Sequence, residues 1–268
     1  MNGGISAKSR NLLELLSRGK GPFTPSEIAH IWDLSPNKTN RLVAYLASKG
    51  WLSRLRRGLY ITVPLGAGNP ADRREDPWIM AYKIFAPCYV GGWTACEYWQ
   101  LTEQIFKDTV IFTSKKPRYR NFNIKDMTYI IKKVSGSKLF GLSRVWKDQI
   151  KIPISDPSRT IVDLLDDPSI GGGIRNIADI INEYFNSTHR NDLKLIEYIS
   201  EMKNKAVYKR LGYIIETLKI NAHEIMKHCA NNISSGYSKL DPTGPQKGTF
   251  IRRWNLLVNI IIKNSKDT

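Results

Sequence analysis

Cysteine is scarce. Cys88, Cys96 and Cys229 are the only three in 268 residues, an odd number with no metal-type pairing. That speaks against a disulfide framework and predicts reduced, packed thiols in a cytosolic protein. Long apolar runs are missing as well, for no stretch approaches the roughly 18 residues that span a bilayer. The opening segment, Met1 to Leu16, lacks the apolar core and small-residue cleavage site of a secretory signal. No internal repeat or low-complexity tract is visible. Negative charge is also short: 24 Asp and Glu stand against 41 Lys and Arg, a net +17. A surface so basic attracts polyanions, and with the membrane disfavoured, nucleic acid is the expected partner. The apolar share of 41%, with 10% aromatics, is ample for a packed core and excludes a disordered chain. The length suggests two domains.

The charge is concentrated at the front. Residues 1–63 hold a net +7, and the remaining 205 residues hold +10. The same 63 residues carry the punctuation of a winged helix. Leu12, Leu13, Leu15 and Leu16 fall close to helical spacing before Gly19 and Gly21, which predicts a first helix over about 6–18. Thr24-Pro25-Ser26-Glu27 has the form of a capping box with proline at the first helical position. Ile28, Ala29, Ile31 and Trp32 then supply a buried face. Ser35-Pro36 repeats the start signal, and a third helix runs to Lys49, where Gly50 suits a left-handed cap. Trp51–Leu55 and Leu59–Val63 read as two strands joined by Arg56-Arg57-Gly58. Helix, short turn, helix and hairpin in that order predict a winged helix-turn-helix.

Periodicity divides the third helix. Thr39, Leu42, Val43 and Leu46 form the stripe expected to pack inward. Asn37, Arg41, Ala44 and Ser48 lie opposite, with Lys38, Asn40 and Tyr45 beside them. Asn and Arg are the side chains that pair bidentately with adenine and guanine in the major groove, and a small alanine lets a helix sit deep. Arg54, Arg56 and Arg57 on the hairpin are expected to reach phosphates or the minor groove. The expected DNA contacts are therefore Asn37, Lys38, Asn40, Arg41, Tyr45, Arg54, Arg56 and Arg57. A cluster of Lys115, Lys116, Arg118 and Arg120 around Tyr119 offers a possible second polyanion contact.

Residues 64–76, rich in Gly and Pro, read as a linker, and 77–268 as one α+β domain. Trp78–Phe85 is predicted helical, and Gly91-Gly92-Trp93 leads into Thr94-Ala95-Cys96-Glu97, a second capping-box pattern. Strands are predicted at Thr109–Thr113, Met127–Val134 and Gln149–Ile154. Asp156-Pro157 caps a helix carrying Ile161, Val162, Leu164 and Leu165. Further helices are expected at Ile174–Phe185, Asp192–Lys203 and Ala206–Leu218, while Trp254–Ile262 fits either strand or helix. Trp93 and Trp99 read as core residues, Asp156 as a helix cap and Asp163 as a surface or interface residue.

Catalytic patterns fail on spacing. His223 and His228 stand five apart, whereas zincin ligands stand four apart on one helical face. Gly171-Gly172-Gly173 has neither a Walker lysine nor a preceding strand. Glu201-Met202-Lys203 has the Glu-x-Lys form of some metal nucleases, but no acidic partner precedes it on a strand. No enzyme activity, metal or cofactor is expected.

Several motifs, in order, carry a resemblance. Leu55-Arg56-Arg57-Gly58-Leu59-Tyr60 before Val63-Pro64 is followed by Asp76-Pro77-Trp78, Gly91-Gly92-Trp93-Thr94-Ala95 and Trp99-Gln100-Leu101-Thr102. Then come Asp156-Pro157-Ser158-Arg159-Thr160 through Leu165, Gly171-Gly172-Gly173-Ile174-Arg175, Lys209-Arg210-Leu211-Gly212 and Leu240-Asp241-Pro242. Over nearly its whole length the chain resembles the AbiE-type abortive-infection antitoxins. The resemblance implies a cytoplasmic phage-defence protein of a type IV toxin–antitoxin operon. Its winged helix would bind inverted repeats in double-stranded DNA at its own promoter and repress transcription. Its C-terminal domain would counteract a nucleotidyltransferase-like toxin without needing a stable complex. The alternatives are a regulator whose C-terminal domain senses a ligand or another partner and, further off, a DNA-targeted nuclease.

Overall fold

The computed structural model describes residues 7–18, 21–63, 76–117, 120–124 and 127–262. Most of the expected linker, 64–75, lies outside the described residues.

The first helix, α1 (Ala7–Arg18), buries Leu12, Leu13 and Leu16, whereas Leu15 turns to water. Helix α2 (Pro25–Trp32) opens on the expected capping box. The Glu27 amide donates to Thr24 Oγ1 at 3.4 Å, and the Thr24 amide donates to Glu27 Oε2 at 2.6 Å. Its buried stripe is narrower than the sequence suggests: Ile28 is enclosed and Ile31 is exposed. Helix α3 (Pro36–Ser48) follows, and Gly50 at φ +77° turns the chain, as a residue without Cβ can at no steric cost. Strands β1 (Leu52–Arg56) and β2 (Leu59–Thr62) pair antiparallel, with a bulge between Arg54 and Arg56 and Gly58 at φ +74° in the turn. Phe23 adds a rung, exchanging backbone hydrogen bonds of 2.8 and 2.9 Å with Tyr60. Leu12, Leu13, Leu16, Phe23, Ile28, Val43, Leu46 and Leu52 make the local core. Each such burial contributes about 1.5–3 kcal/mol, which offsets the entropy of ordering so short a segment.

The larger C-terminal part is built on a six-stranded mixed sheet. Its strands are β3 (Cys88–Val90), β4 (Thr109–Thr113), β5 (Asn121–Ile124), β6 (Met127–Lys133), β7 (Leu142–Lys147) and β8 (Ile150–Ser155), in the order β5-β6-β4-β3-β8-β7. The pairs β6–β4 and β3–β8 are parallel and the others antiparallel. Both faces of the sheet are covered, and the two-residue period assigns each side chain to a face. Cys88, Val90, Ile111, Tyr129, Ile131, Ile152 and Ile154 share a core with helix α4 (Pro77–Phe85), whose N-cap is Asp76. Tyr89, Val110 and Phe112 point the other way, into a core shared with α5 (Gly92–Tyr98), α6 (Pro157–Asp166), α7 (Ile174–Asn186), α8 (Asp192–Met202), α9 (Lys205–Thr217) and α10 (His223–Asn232). A small sheet of β9 (Ser238–Lys239), β10 (Thr249–Ile251) and β11 (Leu256–Val258) closes the far end, in the order β10-β11-β9. The fold is therefore α+β, a winged helix-turn-helix followed by a larger mixed domain.

Three details depart from the sequence reading. The Thr94–Glu97 capping box does not form. Gly91 is the N-cap of α5, and the Thr94 hydroxyl instead accepts the Val110 amide at 2.9 Å, tying the helix to β4. Trp254–Ile262 is neither a helix nor one strand but a 3-10 turn followed by the short β11. The third departure concerns the wing, which does not stand free. Leu59 and the half-buried Leu55 join the apolar cluster of Trp78, Ile79 and Ile152, and Lys83 lies 3.8 Å from Glu27. All three cysteines are buried and free, and burial pushes the Cys88 and Cys229 thiols up to about 12.

Candidate nucleic-acid interface

Helix α3 is split as its sequence period requires. Thr39, Val43 and Leu46 are buried and Leu42 is half-buried, anchoring the helix to α1 and α2. Asn37, Lys38, Asn40, Arg41, Ala44, Tyr45 and Ser48 are all exposed. Asn37, Arg41, Ala44 and Ser48 recur at steps of four, three and four, so one continuous polar strip faces water. No acidic residue occupies the first turn of the helix. Two contacts steady the strip at its far end. The Tyr45 ring meets Trp51 edge-on with centroids 6.3 Å apart, and the Lys49 ammonium sits 5.9 Å from the same ring. The Trp51 contact was not anticipated, although an aromatic pair flanking a Gly50 turn was the signal available.

On the hairpin, Arg54 and Arg57 are exposed. Arg56 pairs with Leu59 in the backbone register, and its side chain lies outside the described residues. Because the apolar side of the hairpin is held against α4, the tip carrying Arg57 is fixed relative to the body rather than free to swing. Of the second cluster, Lys115, Lys116 and Arg120 are exposed between β4 and β5, and Arg118 lies outside the described residues. The Lys115 amide donates to Thr113 Oγ1 at 3.1 Å, and the Arg120 carbonyl accepts from the Ile131 amide at 2.7 Å, so both ends of this loop are anchored to the sheet.

The remaining family-like motifs converge on the interior as structural pins. Arg159 and Asp163, four apart on α6, are fully buried as an ion pair at 2.9 Å. The Tyr89 hydroxyl lies 3.1 Å from both Asp163 Oδ2 and Arg159 Nη2, so β3 is bonded to the helix layer. The guanidinium face lies 4.0 Å from the Phe140 ring centroid, and Arg159 Nη1 has no hydrogen-bond partner. Asp163 is thus an interior residue and not the surface or interface one expected from sequence, because Arg159 one turn earlier pairs with it. Arg210 donates to the carbonyls of Leu165 at 2.6 Å and Leu240 at 3.1 Å. Asp241 accepts the first amide of α7, that of Ile174, at 3.1 Å. Gly212 lies under the Trp254 ring, which leaves no room for a Cβ. Trp93 and Trp99 are half-buried against the core and donate to the carbonyls of Asp108 and Ser155 at 2.7 and 2.8 Å.

Glu201 and Met202 lie in the last turn of α8, and His223 and His228 lie on α10. His228 meets Ser200 at 3.1 Å while the Ser200 hydroxyl also donates to the Ile196 carbonyl at 2.8 Å, an arrangement that ties α10 to α8. Met202 is buried and Lys203 ends α8 in a left-handed conformation at φ 57°. Among the described residues no group of three or more His, Cys, Asp or Glu could hold a metal ion, and no helix is long and apolar enough to cross a membrane.

An exposed helix face, a hairpin tipped by arginine and an α+β body give the chain a winged helix-turn-helix architecture. Residues 10–63 match the family model described as transcriptional regulator, AbiEi antitoxin. In overall fold the chain is similar to the crystal structure of the RV2827C protein from Mycobacterium tuberculosis. The TM-score is 0.57 at 13% sequence identity, over 94% of this chain and 92% of that one. No curated protein matches the chain.

Proposed function

We propose that the protein is a sequence-specific DNA-binding repressor of its own toxin–antitoxin operon and the antitoxin to a nucleotidyltransferase-like toxin. One observation carries the DNA-binding half. Asn37, Arg41, Ala44 and Ser48 form an unbroken exposed strip on a helix whose opposite side is locked into the winged-helix core. Lys38, Asn40 and Tyr45 flank that strip, and Arg54, Arg56 and Arg57 contact the adjoining backbone. The operator is an inverted repeat in double-stranded DNA. The protein works by binding rather than catalysis, in the cytoplasm, as part of a type IV phage-defence system. The antitoxin half belongs to residues 77–268, and there the Lys115, Lys116, Arg118 and Arg120 loop is a second polyanion contact or the antitoxin surface.

Co-expression with the neighbouring toxin gene separates the two roles. Since the hairpin packs on α4, the full chain is the proper vehicle. Asn37→Ala with Arg41→Ala and Arg57→Ala is expected to lose promoter repression yet still restore growth. Neutralising the 115–120 loop to alanine is expected to do the reverse if that loop is the antitoxin surface. Loss of both activities in the first variant, with its fold intact, contradicts the two-role assignment.

A further inference from the structure

The far end of the molecule carries a second surface with its own chemistry. Tyr237, just before β9, and Phe250, in β10, meet edge to face with ring centroids 4.9 Å apart. Yet they remain 49% and 61% exposed, in a protein that fully buries the larger ring of Trp254 a few residues on. Strand β10 is an edge of its small sheet, and no described strand pairs with it on its outer side. The charge in the surrounding sequence is one-sided. Residues 237–253 contain Lys239, Lys247, Arg252 and Arg253 and a single acid, Asp241. That acid is turned inward: Asp241 is 1% exposed and is spent on the amides of Ile174 and Thr243. Lys239 is bonded to Gln246, and Arg253 is paired with Glu216 and lies over Trp254. Lys247 and Arg252 are left exposed on either side of Phe250 in sequence.

We propose that Tyr237 and Phe250, with Lys247 and Arg252, form a stacking platform for the unpaired bases of a single-stranded nucleic acid. Exposed aromatic rings with positive charge close by in sequence suit an unpaired strand, since every base offers a π-face and every link a phosphate. A duplex hides its base faces in its own stack and gains nothing from the rings. An acidic peptide such as polyglutamate matches the charge but carries no ring to stack on Phe250. The platform is independent of the α3 strip in its residues and in the strandedness of its ligand.

The test uses the full chain and a fluorescein-labelled oligothymidylate of about 15 nucleotides, near the upper end of common single-strand site sizes, followed by anisotropy. Phe250→Ala or Tyr237→Ala is expected to weaken binding about 5- to 150-fold, the range that loss of one base–aromatic stack gives. Phe250→Leu, which keeps the apolar bulk and so the fold, is expected to weaken it as alanine does, and Phe250→Trp to retain it. Lys247→Ala and Arg252→Ala are each expected to flatten the log–log salt dependence by about 0.7. Binding of promoter duplex should not change in any of these variants. The proposal is overturned if oligothymidylate does not bind. It is equally overturned if Phe250→Leu binds it like the unaltered chain, or if polyglutamate displaces it charge for charge.

Discussion

Asp163 shows how a motif residue can serve the fold rather than chemistry. Burial pushes its carboxyl up to about 6, although Arg159 and Tyr89 both favour its charged form. A folded value above the usual 3.8 means that the protonated form is favoured on folding. The stability contributed by this group is therefore complete below about pH 4 and is lost as pH rises through about 6. The Asp163 carboxyl carbon, followed by NMR, should titrate with a midpoint near 6, and Asp163→Asn should remove that part of the pH dependence of unfolding. A midpoint at or below 4 would mean that the pair with Arg159 outweighs burial. The sequence reading put Asp163 at a surface or interface, because an i, i+4 spacing from Arg159 does not by itself tell a buried pair from an exposed one. The partner that makes it internal, Tyr89, lies 74 residues away.

At the scale of elements, Gly212 on α9 is the tightest junction. A Cβ there would come within 2.1 Å of the Trp254 ring, a packed indole that also donates to Glu216. Gly212→Ala should destabilise the protein by more than about 3 kcal/mol, the upper range for overpacking. Adding Trp254→Leu should recover part of that loss. Thermal unfolding of the two variants checks it, and an unperturbed Gly212→Ala would show that α9 and Trp254 are not in contact. Elements announced by caps were legible beforehand: Thr24-Pro25-Ser26-Glu27 and Asp156-Pro157 begin α2 and α6 where cap and apolar period agree. Strand β4 was legible too, being a continuous β-branched and aromatic run. Strand β3 escaped because three buried residues are too few to show a period. Strand β7 escaped because Arg144 and Trp146 face water on an edge, which leaves Leu142 and Val145 out of alternation. The asymmetry is physical: helix starts are written locally, whereas edge strands are defined by the neighbour they pair with.

At the scale of the whole molecule, the winged helix and the body are joined by more than the chain between them. Leu55 and Leu59 read in sequence as ordinary strand residues, and nothing local marks α4 as their partner; the structure puts them in its core. The α3 strip, by contrast, was legible residue by residue, because an amphipathic helix writes its buried and open faces into its own period. On the proposed function, that strip reads the operator bases. Its most direct test is quantitative binding of the full chain to its own promoter duplex and to random duplex over a salt series. Asn37→Ala and Arg41→Ala should each cost about 1–3 kcal/mol on the promoter and much less on random DNA. Arg57→Ala should weaken both and flatten the salt slope by about 0.9. Equal losses on promoter and random duplex for Asn37→Ala and Arg41→Ala would contradict base reading by α3.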